Sequence, residues 1–204
     1  MPSMEHWISF VLATAIFACM PGPAILYMTA QTLAHGRKAG FLAALGIHIG
    51  CYVHIAAAAL GLAALLHHAL LLYTVIKLAG AVYLIWLGAT MLLGAGKHTA
   101  HTGAAKPGVL RDSIVVEILN PKTALFFVTF LPQFVDPTAS MPLSMQFLMF
   151  GLLVNLALSI ADVAAVFLAS FTLGRLTGSG SRLVPRACGS ILIALGLMLA
   201  GQPV

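Results

Sequence analysis

The chain has 204 residues, 61% of them hydrophobic and 7% charged, with a mean hydropathy of +1.04. Soluble domains carry roughly 25% charged residues, so this composition excludes an ordinary water-soluble domain and fits a chain solvated by lipid. The net charge of +5 would suit a nucleic-acid partner, but the placement of the basic residues excludes that reading.

Taken in chain order, apolar runs long enough to cross a hydrocarbon core of about 30 Å cover residues 7–32, 40–66, 70–93, 113–134, 143–173 and 183–201. They predict an all-α integral membrane protein of six transmembrane helices, a single membrane domain over residues 1–204. The first run has no Lys or Arg ahead of it and outlasts signal-peptide length, so it is expected to stay as a span. Arg37 and Lys38 fall in the first loop, Lys97, Lys106 and Arg111 in the third, and Arg175, Arg182 and Arg186 in or beside the fifth. The second and fourth loops and both termini carry no Lys or Arg. The positive-inside rule then makes the odd loops cytoplasmic and places both termini on the outer side.

Two runs contain helix breakers. In the first, Cys19-Met20-Pro21-Gly22-Pro23 falls about midway; in the fourth, Asn120-Pro121 interrupts an apolar stretch. Proline removes an amide donor and clashes with the preceding turn, freeing carbonyls that hydrocarbon cannot satisfy. Asn120 followed by Pro121 reads as an N-cap with proline at the first helical position, and Gly22-Pro23 is a weaker version of the pair. A half-helix starting in mid-membrane directs free amides and a positive dipole end inward, where an anion can bind. Lys122, next to the cap, would add its charge to a carboxylate site.

A shift of 100 residues places Pro21 on Pro121, Ala24 on Ala124 and Thr29 on Thr129. With termini outside, three spans before and three after give a 3+3 inverted repeat with broken first and fourth helices, a secondary-transporter pattern. The halves would be about 1–94 and 110–204, joined by a cytoplasmic loop over 95–109. Two proline kinks in a receptor or scaffold are the structural alternative.

The ionisable residues inside the runs divide by depth. Asp162 lies near the middle of the fifth run, where a carboxylate costs at least about 2.5–3.5 kcal/mol on insertion scales. It should face the interior, binding a substrate ammonium or a proton, or pairing with Lys122 or Lys77. Glu117, a turn before the Asn-Pro break, is a second proton-coupling candidate; with Arg111 and Asp112 close by, solvation near the cytoplasmic water is its simpler reading. Lys77 is expected to snorkel.

His48, Cys51 and His54 recur at three-residue steps on the second run and could pass a transition metal. That spacing equally suits interior packing. Gly46 and Gly50 form a small-xxx-small face for close helix approach, Gly80 and Gly88 read likewise, and Tyr83 with Trp86 should fill a core. Small-residue faces leave room for a homodimer. The cysteines Cys19, Cys51 and Cys188 sit in separate runs without CxxC, so buried thiols are expected. No nucleophile sits with a matching base and no cofactor fingerprint appears, so an enzyme is not expected and no cofactor is implied.

"PGPAILYMTAQTLAHGRKAGFLAALGIHIG", "KLAGAVYLIWLG" and "LNPKTALFFVTFLPQFVDP", in that order and spacing, resemble the LysE/RhtB family of bacterial amino-acid exporters. The similarity covers essentially the whole chain. It implies a six-helix inner-membrane protein that expels amino acids or close derivatives, driven by protons. Position by position, Pro21, Gly22 and Pro23 look like the family's first broken element and Asn120, Pro121 and Lys122 like its second. Asp162 falls where such proteins commonly carry an acid, whereas Glu117 stands where a neutral residue is expected. One interior acid, Asp162, against one or two interior cations favours a neutral amino acid over lysine or arginine, a preference that disappears if Glu117 faces the interior. The alternatives from other classes are a transition-metal exporter using His48, Cys51 and His54, and a non-transporting membrane scaffold.

Overall fold

The computed structural model describes residues 4–20, 22–60, 69–94, 108–176 and 183–201, and every regular element within them is helical. In order they are α1 (Met4–Cys19), α2 (Pro23–His35), α3 (Arg37–Ala59), α4 (Ala69–Gly94), α5 (Val109–Ile118) and α6 (Pro121–Leu125). A π-helical turn (Phe126–Phe130), a 3-10 turn (Leu131–Phe134), α7 (Leu143–Leu176) and α8 (Leu183–Gly201) follow. Among the described residues, three segments qualify individually as membrane spans by length and composition: Arg37–Ala59, Val109–Phe134 and Leu143–Phe171. α1 and α2, whose axes differ by 46°, make a fourth if taken as one broken span. α4 and α8 are apolar helices of 26 and 19 residues. α3 ends at Ala59 with Leu60 as its C-cap, and residues 61–66 of the expected second run lie outside the described residues. Lys97, Lys106, Arg182 and His67, His68, His98 and His101 lie outside the described residues, as do the side chains of Lys77, Arg175 and Cys188.

Both breaks fall on a cap followed by proline. Gly22 is extended (φ −142°, ψ 178°) and precedes Pro23, the first residue of α2. Asn120 is extended (φ −80°, ψ 105°), and its side chain accepts from the Lys122 amide at 3.2 Å. Gly22 therefore corresponds to Asn120 and Pro23 to Pro121, two residues away from the 100-residue shift. Of the two, only Asn120 satisfies an amide that starts its helix with a side chain; Gly22 makes no side-chain cap bond. Pro21 lies outside the described residues.

α3 is the hub, packed against α2, α5 and α7, while α4 packs on α8. Its small-residue face works as expected: a methyl added at Gly46 would stand 2.6 Å from the Leu110 carbonyl, and one at Gly50 would stand 2.8 Å from both the Ile114 carbonyl and Glu117 Cβ. The backbones of α3 and α5 meet where side chains are missing. Gly88 meets Gly189 of α8 in the same way, so these faces are used within the chain. The turn between α2 and α3 rests on Gly36, whose φ of +84° suits glycine.

An aromatic ladder fixes α1 over the fourth run. Phe17 stacks on Phe126 at 4.1 Å, Phe126 reaches Phe130 at 4.8 Å, Phe130 reaches Phe134 at 4.9 Å, and Phe10 meets Phe134 at 5.2 Å. Offset and edge contacts at such distances are favourable beyond area burial, and they hold the end of α1 beside α6. On the outside, Leu156, Ile160, Phe167, Leu168 and Phe171 of α7 are exposed, an apolar belt suited to acyl chains. Trp86 departs from the expected core position: half exposed, it faces outward, while its neighbour Tyr83 donates to Asp112 Oδ1 at 3.4 Å. The expected buried thiols are half right, since Cys51 is buried and Cys19 exposed.

Candidate functional site

The two breaks are joined by one side chain. Lys122, in the first turn of α6, reaches back to the end of α1 and donates from Nζ to the Phe17 carbonyl at 2.7 Å and to the Met20 carbonyl at 2.5 Å. Its ammonium also lies 4.2 Å from the Phe17 ring centroid. Carbonyls at a helix C-terminus lack intrahelical partners and carry the negative dipole end, so an ammonium fits there electrostatically. Gly22 leaves room for the stem, since a methyl at that position would come within 2.7 Å of Lys122 Cδ. The cation beside the second breaker thus answers the carbonyls freed by the first.

The second break is completed from the other direction. Glu117, in the last turn of α5, is 1% exposed. Its carboxyl accepts from Asn120 Nδ2 at 2.9 Å and engages the Thr123 side chain. The Glu117 carbonyl faces His54 Nε2 at 2.8 Å. The expectation of a solvated entry residue is therefore wrong: charged neighbours pointed toward water, but close packing of α5 on the glycine face of α3 seals Glu117 inside. The signal was available in its spacing, because Glu117 and Asn120 are three residues apart and one turn joins them, the Asn120 backbone amide donating to the Glu117 carbonyl at 3.0 Å. An acid already stands beside the start of α6.

Asp162 is 3% exposed and interior, as its depth in the run implied. Among the described residues its contact partner is His48 rather than Lys122: Oδ2 lies 3.4 Å from His48 Nε2, while the Lys77 side chain lies outside them. On the other side of the ring, His48 Nδ1 lies 2.8 Å from Asn155 Oδ1 and 3.4 Å from the Ser159 hydroxyl, which is itself bonded to the Asn155 carbonyl at 2.9 Å. Lys122 still acts on both Asp162 and Glu117 through space. Of the expected site residues, the fold brings Gly22, Asn120, Lys122, Glu117 and Asp162 into one charged interior region, with Pro23 and Pro121 starting the flanking helices.

The proposed metal face separates. His48 engages α7, His54 engages the Glu117 carbonyl and lies 6.0 Å from the Phe127 ring, and Cys51 is buried among apolar side chains. No group of three or more His, Cys, Asp or Glu residues with metal-binding geometry occurs among the described residues. Three-residue steps turn successive side chains by about 60° around a helix of 3.6 residues per turn, far enough to reach different neighbours.

The family model for the LysE type translocator matches residues 15–202, which covers both breaks and the helices between them. The chain belongs to the LysE type translocator family. This translocator is 38% identical over 141 residues to a leucine efflux protein of Enterobacter sp. (strain 638), an alignment covering 67% of this chain and 66% of that protein. It is 27% identical over 202 residues to a homoserine/homoserine lactone efflux protein of Salmonella typhimurium, covering 97% of each. An uncharacterized membrane protein of Vibrio cholerae is 30% identical over 205 residues, covering 95% of this chain and 96% of its own length. The translocator thus spans about two thirds of the leucine efflux relative and nearly all of the other two. No solved structure matches it.

Proposed function

We propose that this LysE type translocator is a secondary-active exporter of neutral amino acids, moving them across the bacterial inner membrane in exchange for protons. It would do so as six spans in a 3+3 inverted arrangement with both termini outside. The observation that carries this reading is the Lys122 clasp between the two helix breaks, with Glu117 and Asp162 buried alongside. Charge retained in the interior of an apolar chain is costly and points to a transport path.

An amino acid has two charged ends, and the interior offers a counterpart for each. An ammonium has three donors; Lys122 uses two on the α1 carbonyls and has one left for a substrate carboxylate, supported by the breaks at Gly22-Pro23 and Asn120-Pro121. Asp162 would receive the substrate ammonium, and either Asp162 or Glu117 would carry a proton. Because Glu117 is interior, the count of acids against cations no longer argues for a neutral substrate. The preference now draws its support from the relatives named for leucine and homoserine, each with one ammonium and one carboxylate. The metal-exporter and scaffold readings gain no observation.

The test is efflux from dipeptide-loaded cells over a panel of amino acids, against an empty-vector control. Release of leucine, homoserine or a similar neutral amino acid, abolished by a protonophore, is the expected result. Release of none above control would end the proposal.

A further inference from the structure

The His48 cluster lies between α3 and α7, on the Asp162 side of the same charged region. Its hydrogen-bond arithmetic is unusual. Asn155 Oδ1 lies 2.8 Å from His48 Nδ1; with the amide in this orientation its oxygen is the acceptor and Nδ1 carries the hydrogen. In a neutral imidazole the other nitrogen would then present a lone pair. That nitrogen, Nε2, faces Asp162 Oδ2 at 3.4 Å. Two acceptors facing each other repel, so a proton belongs in that gap between the partly buried imidazole and the buried carboxyl. Ser159, anchored to the Asn155 carbonyl, stands over Nδ1 and helps to fix the ring.

We propose that the His48–Asp162 pair holds the proton exchanged for substrate, and that this proton and the substrate ammonium are alternative occupants of the Asp162 carboxylate. The idea rests on the export reading above. From the cytoplasmic side, the ammonium takes the Asp162 carboxylate, the proton leaves the pair into the cytoplasm, and His48 remains neutral. On the outer side the substrate departs and a proton from outside refills the gap. One proton enters for each zwitterion expelled, with no bond made or broken other than to hydrogen.

Histidine suits this exchange because its unperturbed titration lies closest to neutrality. Around the pair, Lys122 of α6 and Glu117 of α5 act on Asp162 through space, and Cys51 lies on α3 itself. His54 is engaged at the Glu117 carbonyl, and on α2 Tyr27 lies within reach of Asp112.

The test uses purified full-length protein in proteoliposomes, with labelled leucine as the probe. Wild type should exchange leucine against leucine, and with a pH step of one unit and the membrane potential clamped at zero by valinomycin and equal potassium should accumulate it about tenfold, the limit for one proton per leucine. His48→Gln should keep exchange to within about tenfold of wild type while losing accumulation. Accumulation by His48→Gln at the wild-type level would overturn the proposal, and so would loss of exchange together with accumulation, since His48 would then serve binding or folding. A second measurement needs no variant: leucine added to wild type in lightly buffered detergent should release a proton, and absence of release overturns the proposal. Wild type that exchanges neither leucine nor homoserine would instead sink the export reading itself.

Discussion

Replacing Lys122 with methionine keeps a long stem and removes only the ammonium, which isolates the clasp between the two breaks. Two carbonyls lose a donor, unequally. The Phe17 carbonyl keeps a weaker bond from the Met20 amide at 3.3 Å, so its loss is partial. The Met20 carbonyl has Lys122 as its one donor among the described residues. A hydrogen bond to a charged group contributes about 1.5–3 kcal/mol, and the Met20 bond is exposed, so its carbonyl adds less than a buried stranded acceptor would. The lost cation at the end of α1 and above Phe17 adds about 0.5–1 kcal/mol, while relief of ammonium desolvation offsets part of the total. The expected net loss is about 2–4 kcal/mol, or roughly 30- to 1000-fold in the unfolding equilibrium. Unfolding of purified protein in mixed micelles by SDS titration, followed by circular dichroism, reads this directly. A loss under about 0.5 kcal/mol would refute the claim that Lys122 ties α6 to α1.

Gly50→Val should force α3 from α5, since even its Cβ would stand 2.8 Å from the Ile114 carbonyl; overpacking of this kind costs about 1–3 kcal/mol, and an unchanged SDS midpoint would contradict it. In the loop after the 3-10 turn, the Thr138 amide and hydroxyl donate to Asp136 Oδ1 at 2.8 and 2.7 Å, the hydroxyl bond chiefly holding its carboxyl below the usual carboxylate range. A carboxyl depressed in the folded state contributes stability that is present above its unfolded value near about 4 and is lost as pH falls through the folded value. Thr138 amide protection should therefore drop only below about pH 4, and constant protection down to pH 2 would contradict the assignment. Cys19 is exposed and within electrostatic reach of Lys122, whereas Cys51 is buried. With Cys51→Ser and Cys188→Ser, leucine should slow maleimide labelling of Cys19 severalfold, and equal rates with and without leucine would place the substrate elsewhere.

The local features of the breaks were legible because they depend on near neighbours. Asn120 before Pro121, and Gly22 before Pro23, announce caps within two residues, and Gly46 with Gly50 announces a close approach without naming α5 as the partner. Asp162 was legible as interior from depth alone. What the sequence hides is the identity of partners across the fold. Lys122 and Phe17 are 105 residues apart, and no local rule says that a cation on one half-helix will cap the other. His48 meets Asp162 only because α3 packs on α7, so helical spacing alone grouped it with Cys51 and His54. Glu117 was misplaced because charge nearby in sequence outweighed the Glu-x-x-Asn spacing that ties it to the cap. Trp86 was misplaced because an aromatic pair on an apolar helix does not reveal which member meets lipid.

The central claim is that a zwitterion sits between Lys122 and Asp162. Calorimetric titration of leucine into purified wild type, Lys122→Met and Asp162→Asn, each first shown to be folded, tests it most directly. Removing one partner of a buried charge pair costs about 2–5 kcal/mol, so each variant should bind at least about 30-fold more weakly than wild type. Wild-type affinity in either variant would contradict the account.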